Sequence, residues 1–150
     1  MKNALMRTVF LLAGLMPLAS QSNQLLDQIL DQPRLSFGQA AYLVLTAVGK
    51  LPEESDLERA TEELVFAGWK LKARSASEPI TLGEYSYLLM QAFGLKGGLF
   101  YRLLPGPRYA ARELAFRKWI AGKAYPGRAL SGEEAVRMLG KAMEAMGGRS

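Results

Sequence analysis

The side chains best placed to do chemistry are cationic. Arg108, Arg112, Arg117, Lys118, Lys123 and Arg128 fall in one stretch, with Trp119 and Tyr125 interleaved. Arg108 and Arg112 are four apart, so on a helix they share a face. Guanidinium and ammonium groups hold phosphate or carboxylate, and an aromatic ring between them can stack on a sugar. This set is the expected ligand-binding surface, for an anionic polymer. The plainer readings are that the basic groups form a solvated helix end favoured by the dipole, and that Trp119, like Trp69, is a core wedge.

Other chemistry is thinly equipped. The chain has no histidine and no cysteine, which removes the commonest general base, the thiolate nucleophile and the commonest metal ligands. Glu53, Glu54, Asp56, Glu58, Glu62 and Glu63 form an acidic run. Paired carboxylates can perform acid–base work or hold calcium, but acidic residues also belong in a helix's first turn. No phosphate-cradling glycine loop, calcium loop or serine-nucleophile motif is present. We expect no catalytic residue, no metal and no cofactor. A carboxylate-dependent hydrolase is the least favoured reading, and it needs two carboxylates facing one cleft.

One apolar run stands apart. Leu99, Phe100, Tyr101, Leu103 and Leu104 lie between Gly97-Gly98 and Pro105-Gly106-Pro107, in a connection five residues longer than its counterpart. Long insertions are often functional, so these five are the expected partner-binding residues. The alternative is that they fold back over the core.

The elements that must position these residues repeat along the chain. Leu35-Ser36-Phe37-Gly38-Gln39, Ile80-Thr81-Leu82-Gly83-Glu84 and Leu130-Ser131-Gly132-Glu133-Glu134 each read as a helix start. A hydroxyl caps the first free N–H groups, Gln or Glu three residues on reaches back, and the preceding apolar residue staples the turn. Leu43, Ala47 and Val48 recur as Leu88, Ala92, Phe93 and as Met138, Ala142, Met143, all at one-face helical spacing. A second element, Glu63-Leu64-Val65-Phe66-Ala67-Gly68-Trp69, matches Glu113-Leu114-Ala115-Phe116-Arg117-Lys118-Trp119 at the same spacing that separates the second and third caps. Helices are expected over 55–68, with a Ser55–Glu58 capping box, and over 107–121, with Pro107 in its first turn. Residues 24–31 read as the stub of an earlier helix of this second type. The expected fold is all-α, a helical repeat of helix–loop–helix units at roughly 24–49, 55–94 and 107–146.

A helix, a loop with Gly122, Tyr125, Pro126 and Gly127, and then an apolar–Ser/Thr–x–x–Glu start at Leu130–Glu134 resembles the S-layer homology (SLH) repeat. The resemblance covers most of residues 24–146. It implies an SLH-like bundle packed around a shared axis, acting as a non-enzymatic module that attaches to cell-wall polysaccharide. In that family an Arg usually follows the helix-start Thr and is linked with polymer binding. Here those positions hold Phe37, Leu82 and Gly132.

The N-terminus bears on compartment. Lys2 and Arg7 precede an apolar run from Val9 to Leu18, and Ala19 and Ser20 follow. This is the pattern of a cleaved signal peptide over residues 1–20, leaving 21–150 as a single exported domain, periplasmic or envelope-associated. Charge is segregated within that domain. Residues 21–69 carry 3 basic and 8 acidic groups, and residues 70–128 carry 11 and 3. The asymmetry points to an anionic partner for the middle segment or to contact between the halves. The leading expectation is a cell-envelope binding or scaffold module that holds an anionic polymer or envelope protein. The second is a periplasmic protein–protein adaptor. Nucleic acid is not an expected partner, since export removes the protein from it, and any membrane contact is expected to be peripheral.

Overall fold

The computed structural model describes residues 18–148, with side chains from residue 21 onward. The predicted signal, residues 1–20, falls almost wholly outside them. The described residues are all-helical: α1 Leu18–Leu30, α2 Phe37–Ala47, α3 Leu57–Phe66, α4 Leu82–Ala92, α5 Leu99–Leu103, α6 Pro107–Phe116 and α7 Gly132–Gly147.

Caps set where α2, α4 and α7 begin. The Ser36, Thr81 and Ser131 hydroxyls accept the backbone N–H of Gln39, Glu84 and Glu134, each bond contributing about 1 kcal/mol. In α2 and α4 the box is complete, because Gln39 and Glu84 also accept the N–H of Ser36 and Thr81 at 2.9 Å. In α7 it is half-formed, since the Glu134 carboxylate turns to Arg128. The cap of α3 is also shifted from the expected Ser55–Glu58 box. Asp56 accepts from the Arg59 N–H at 2.8 Å.

These three helix starts hold one another. The first free N–H groups of α2, on Phe37 and Gly38, donate to the Glu78 and Ala76 carbonyls. Those of α4, on Leu82 and Gly83, donate to Arg128 and Pro126. That of α7, on Gly132, donates to Gln32. Each acceptor lies in the segment that leads into another capped helix, so donation runs in a closed cycle. At the centre the Leu35 N–H donates to Leu130 O at 2.9 Å, and the Ile80 N–H donates to Leu35 O at 3.1 Å. Thr81 pairs with Ala129 as an isolated bridge. All three stapling residues, Leu35, Ile80 and Leu130, are buried.

The core fills the space between α2, α4 and α7, which touch pairwise. Phe37, Leu82, Leu88, Leu89 and Met138 are buried there. Tyr85 is fully buried too, and its hydroxyl donates to the Ala135 carbonyl at 2.9 Å, joining α4 to α7. The remaining helices form an outer layer. The most extensive pairings are α2 with α3 and α4 with α6, while α1 packs on α7. Thus α2 packs against α3, α4 against α6 beyond the short α5, and α7 against α1 from the other end of the chain. The order along the sequence instead predicts that each Trp-bearing helix pairs with the capped helix after it. The long connection also differs from expectation, because it contains a helical turn, α5.

Candidate functional site

The cationic stretch is built on α6 and the loop behind it. The helix stops at Phe116 rather than Ala121. The Lys118 N–H donates to Ala115 O at 2.9 Å and the Trp119 N–H to Leu114 O at 3.0 Å, the paired bonds of a Schellman stop. Such a stop needs a left-handed residue, and Lys118 supplies it at φ +60°. At the matching place after α3 stands Gly68, at φ +69°. A non-glycine residue there costs about 1–2 kcal/mol, so Lys118 is held at a strained position that glycine fills elsewhere in the chain. The stop folds Trp119 back onto the core half-buried, and Trp69 packs likewise.

Two of the expected ligand residues are spent inside the fold. The Arg128 guanidinium uses all five of its N–H donors. They go to Lys123 O, Ala121 O, Ala129 O and both oxygens of the Glu134 carboxylate, at 2.6–3.3 Å. Hydrogen bonding to Glu134, offset in part by desolvation, raises the Arg128 pKa above its ordinary value. Arg128 is therefore the post around which residues 121–129 wrap. Arg117 donates to Glu113 at 3.2 Å and to Lys96 O at 2.6 Å, and lies 5.6 Å from the centre of the Trp119 ring. It ties the end of α6 to the start of the long connection.

The outward groups are Arg108, Arg112, Lys118 and Lys123, all exposed, with Tyr125 also exposed beside the loop. These present positive charge and donors to solvent. One face of Trp119 is already covered by Arg117.

The apolar run and the cationic helix, separate in sequence, meet in space. Leu99, Phe100, Leu103 and Leu104 are exposed large hydrophobics. Tyr101 is the exception. It is buried, its hydroxyl accepts from Gln91 Nε2 at 2.9 Å, and its ring lies 6.4 Å from Tyr87. It anchors α5 and turns the other four outward. Phe100 stacks on Tyr109 of α6 at 6.0 Å, and Arg112 lies 5.9 Å from the Phe100 ring centre. A shallow cavity of about 160 Å³ between α5 and α6 is lined by Leu99, Phe100, Tyr109, Arg112, Glu113 and Phe116.

Phe116 was missed as a surface residue. It is 85% exposed, and its counterpart Phe66 is 84% exposed. The signal was present, because Leu64 and Leu114 are buried and a residue two places on lies about 200° around a helix. The ion pair of Arg74 with Glu84 was also missed. Arg74 comes from the loop before α4, lies 5.2 Å from the Phe37 ring centre and pairs with the capping carboxylate. Nothing in the loop sequence marks that arginine for the interior.

The acidic run behaves as caps and surface. Glu53, Glu54 and Asp56 line a cavity of about 180 Å³ with Gln21, Ser22 and Leu25, but the Asp56 carboxylate is engaged on α3. No cluster of three metal-ligating side chains occurs among the described residues, and no helix among them is long and apolar enough to cross a membrane. The N-termini of α2, α4 and α7 are closed to anions, because carbonyls take their first N–H groups. No protein-family model matches the chain, and neither a curated protein nor a solved structure matches it.

Proposed function

We propose that the protein is a non-enzymatic binding module of the cell envelope, built from three SLH-like helical units, that holds an anionic envelope polymer. The observation that carries this reading is the closed cycle of backbone donation among α2, α4 and α7, with Leu35, Ile80 and Leu130 at its centre. Three aligned helix starts that satisfy one another around an axis fit a repeat bundle, as the resemblance implies.

Two further observations support it. Lys118 stands in a left-handed position where Gly68 stands in the matching segment, and local strain of this kind tends to be retained where the side chain is used. The α1 residues that reach the core, Leu25 and Ile29, lie beyond residue 20, so cleavage of the predicted signal leaves that docking in place. On this reading Arg108, Arg112, Lys118, Lys123 and Tyr125 contact the polymer, and Arg117 and Arg128 shape the surface that presents them.

The test is co-sedimentation with purified anionic envelope polysaccharide. Lys118→Glu combined with Lys123→Glu reverses two exposed charges, and each charge contact is worth about 1 kcal/mol, so affinity is expected to fall at least about tenfold. Sedimentation equal to that of the unaltered chain would overturn the proposal.

A further inference from the structure

The face made by α5 and the end of α6 combines two properties that seldom coincide by accident. Leu99, Phe100, Leu103 and Leu104 project into solvent from a short helix held from beneath by Tyr101, and Phe116 stands beside them. Large apolar side chains grouped on a surface mark a contact site. The same stretch is strongly basic. Residues 96–118 carry six cationic side chains and one acid, Glu113. That acid is turned inward, with its oxygens accepting from the Gly98 N–H at 2.9 Å and from Arg117 at 3.2 Å. Lys96, Arg102, Arg108, Arg112 and Lys118 remain exposed around the apolar projection.

We infer that this face docks the protein onto an anionic lipid surface, with Leu99, Phe100, Leu103 and Leu104 entering the headgroup–acyl boundary and the surrounding cations meeting lipid phosphates. Apolar insertion ringed by Lys and Arg is the arrangement that binds anionic membranes peripherally. The molecule carries its own contrast. Phe66 is as exposed as Phe116, but its surroundings are mixed in charge, with Glu62 exposed and Lys50 and Glu63 lining the same cavity, so no ring of cations frames it. The charge around the apolar residues, rather than their exposure alone, selects lipid phosphate. The inference shares Arg108, Arg112 and Lys118 with the polymer reading and differs from it in the inserting residues, which belong to α5.

The chain has no cysteine, so single probes can be placed cleanly. Full-length Leu103→Cys and Phe66→Cys, each carrying an environment-sensitive fluorophore, are mixed with vesicles of phosphatidylglycerol and phosphatidylcholine, or of phosphatidylcholine alone. The probe at 103 is expected to shift to the blue on anionic vesicles only, while the probe at 66 stays in water. Arg108→Glu with Arg112→Glu is expected to weaken the shift at least about tenfold in lipid concentration. A vesicle-bound chain whose 103 probe remains in water overturns the inference, and so does an equal shift on neutral vesicles. A blue shift at 103 that needs no lipid and grows with protein concentration overturns it in favour of self-association. The lipid measurement contains no polysaccharide, so its outcome is separable from the polymer test.

Discussion

Gly132 donates its backbone N–H to the Gln32 carbonyl at 2.9 Å, and this single bond ties the first residue of α7 to the turn that follows α1. A β-carbon on Gly132 would overlap the Ile29 carbonyl oxygen. The approach is backbone against backbone, so no side chain can move aside. Phe37 and Leu82 occupy the matching place in α2 and α4 as large core residues. Here the closeness of α1 removes the room for any side chain.

Gly132→Ala therefore has to push α1 away from α7. We expect a loss of roughly 2–4 kcal/mol, above the usual overpacking range because the obstacle is main chain. Gly140 lies in the same helix with nothing near its missing β-carbon. Gly140→Ala is expected to stabilise by about 0.5–1 kcal/mol through helix propensity. Urea unfolding midpoints of the two variants check the opposite signs. Equal effects would refute the close approach.

Lys118 sits left-handed at φ +60° in the place where α3 is stopped by Gly68. Lys118→Gly is expected to raise stability by about 1 kcal/mol while weakening binding to anionic polysaccharide. Gly68→Ala is expected to lower stability by a similar amount. Thermal unfolding read beside co-sedimentation checks both. A Lys118→Gly variant that gains stability and keeps full binding would leave the strained lysine without a use.

Much of this was legible in the sequence, for a physical reason. Capping and stapling are local, so Ser36, Thr81 and Ser131 announce the three helix starts and Leu35, Ile80 and Leu130 the residues that pack beneath them. What lay hidden depends on the path a loop takes in space, even where the partners are close in sequence. Arg128 stands only six residues before Glu134, yet their spacing does not show that Glu134 will leave the capping box for it, or that Arg128 will spend every donor inside its own loop. The exposure of Phe116 could have been read from its offset to Leu114, yet aromatic residues in a repeated motif invite a core assignment. The α5 turn is not legible because the six residues between Gly98 and Pro105 give too short a period to read.

Glu84 offers a test through pH. Burial pushes its carboxyl up, but the Thr81 N–H, the Arg74 guanidinium and the Thr81 hydroxyl together hold its pKa below the ordinary glutamate value. A depressed folded pKa contributes stability that is fully present above the unfolded value, about 4.3, and is lost as pH falls through the lower folded value. Glu84→Gln keeps an acceptor for the Thr81 N–H but leaves the largely buried Arg74 without its counter-charge. It is expected to cost on the order of 1–3 kcal/mol at pH 7. The other carboxylates titrate alike in both proteins, so the gap between their melting temperatures isolates this pair. That gap should be constant from pH 7 down to about 5 and narrow steadily as the pH falls below the unfolded value of about 4.3. A gap that stays unchanged down to pH 3 would mean that the pairing of Arg74 with Glu84 adds nothing to the fold.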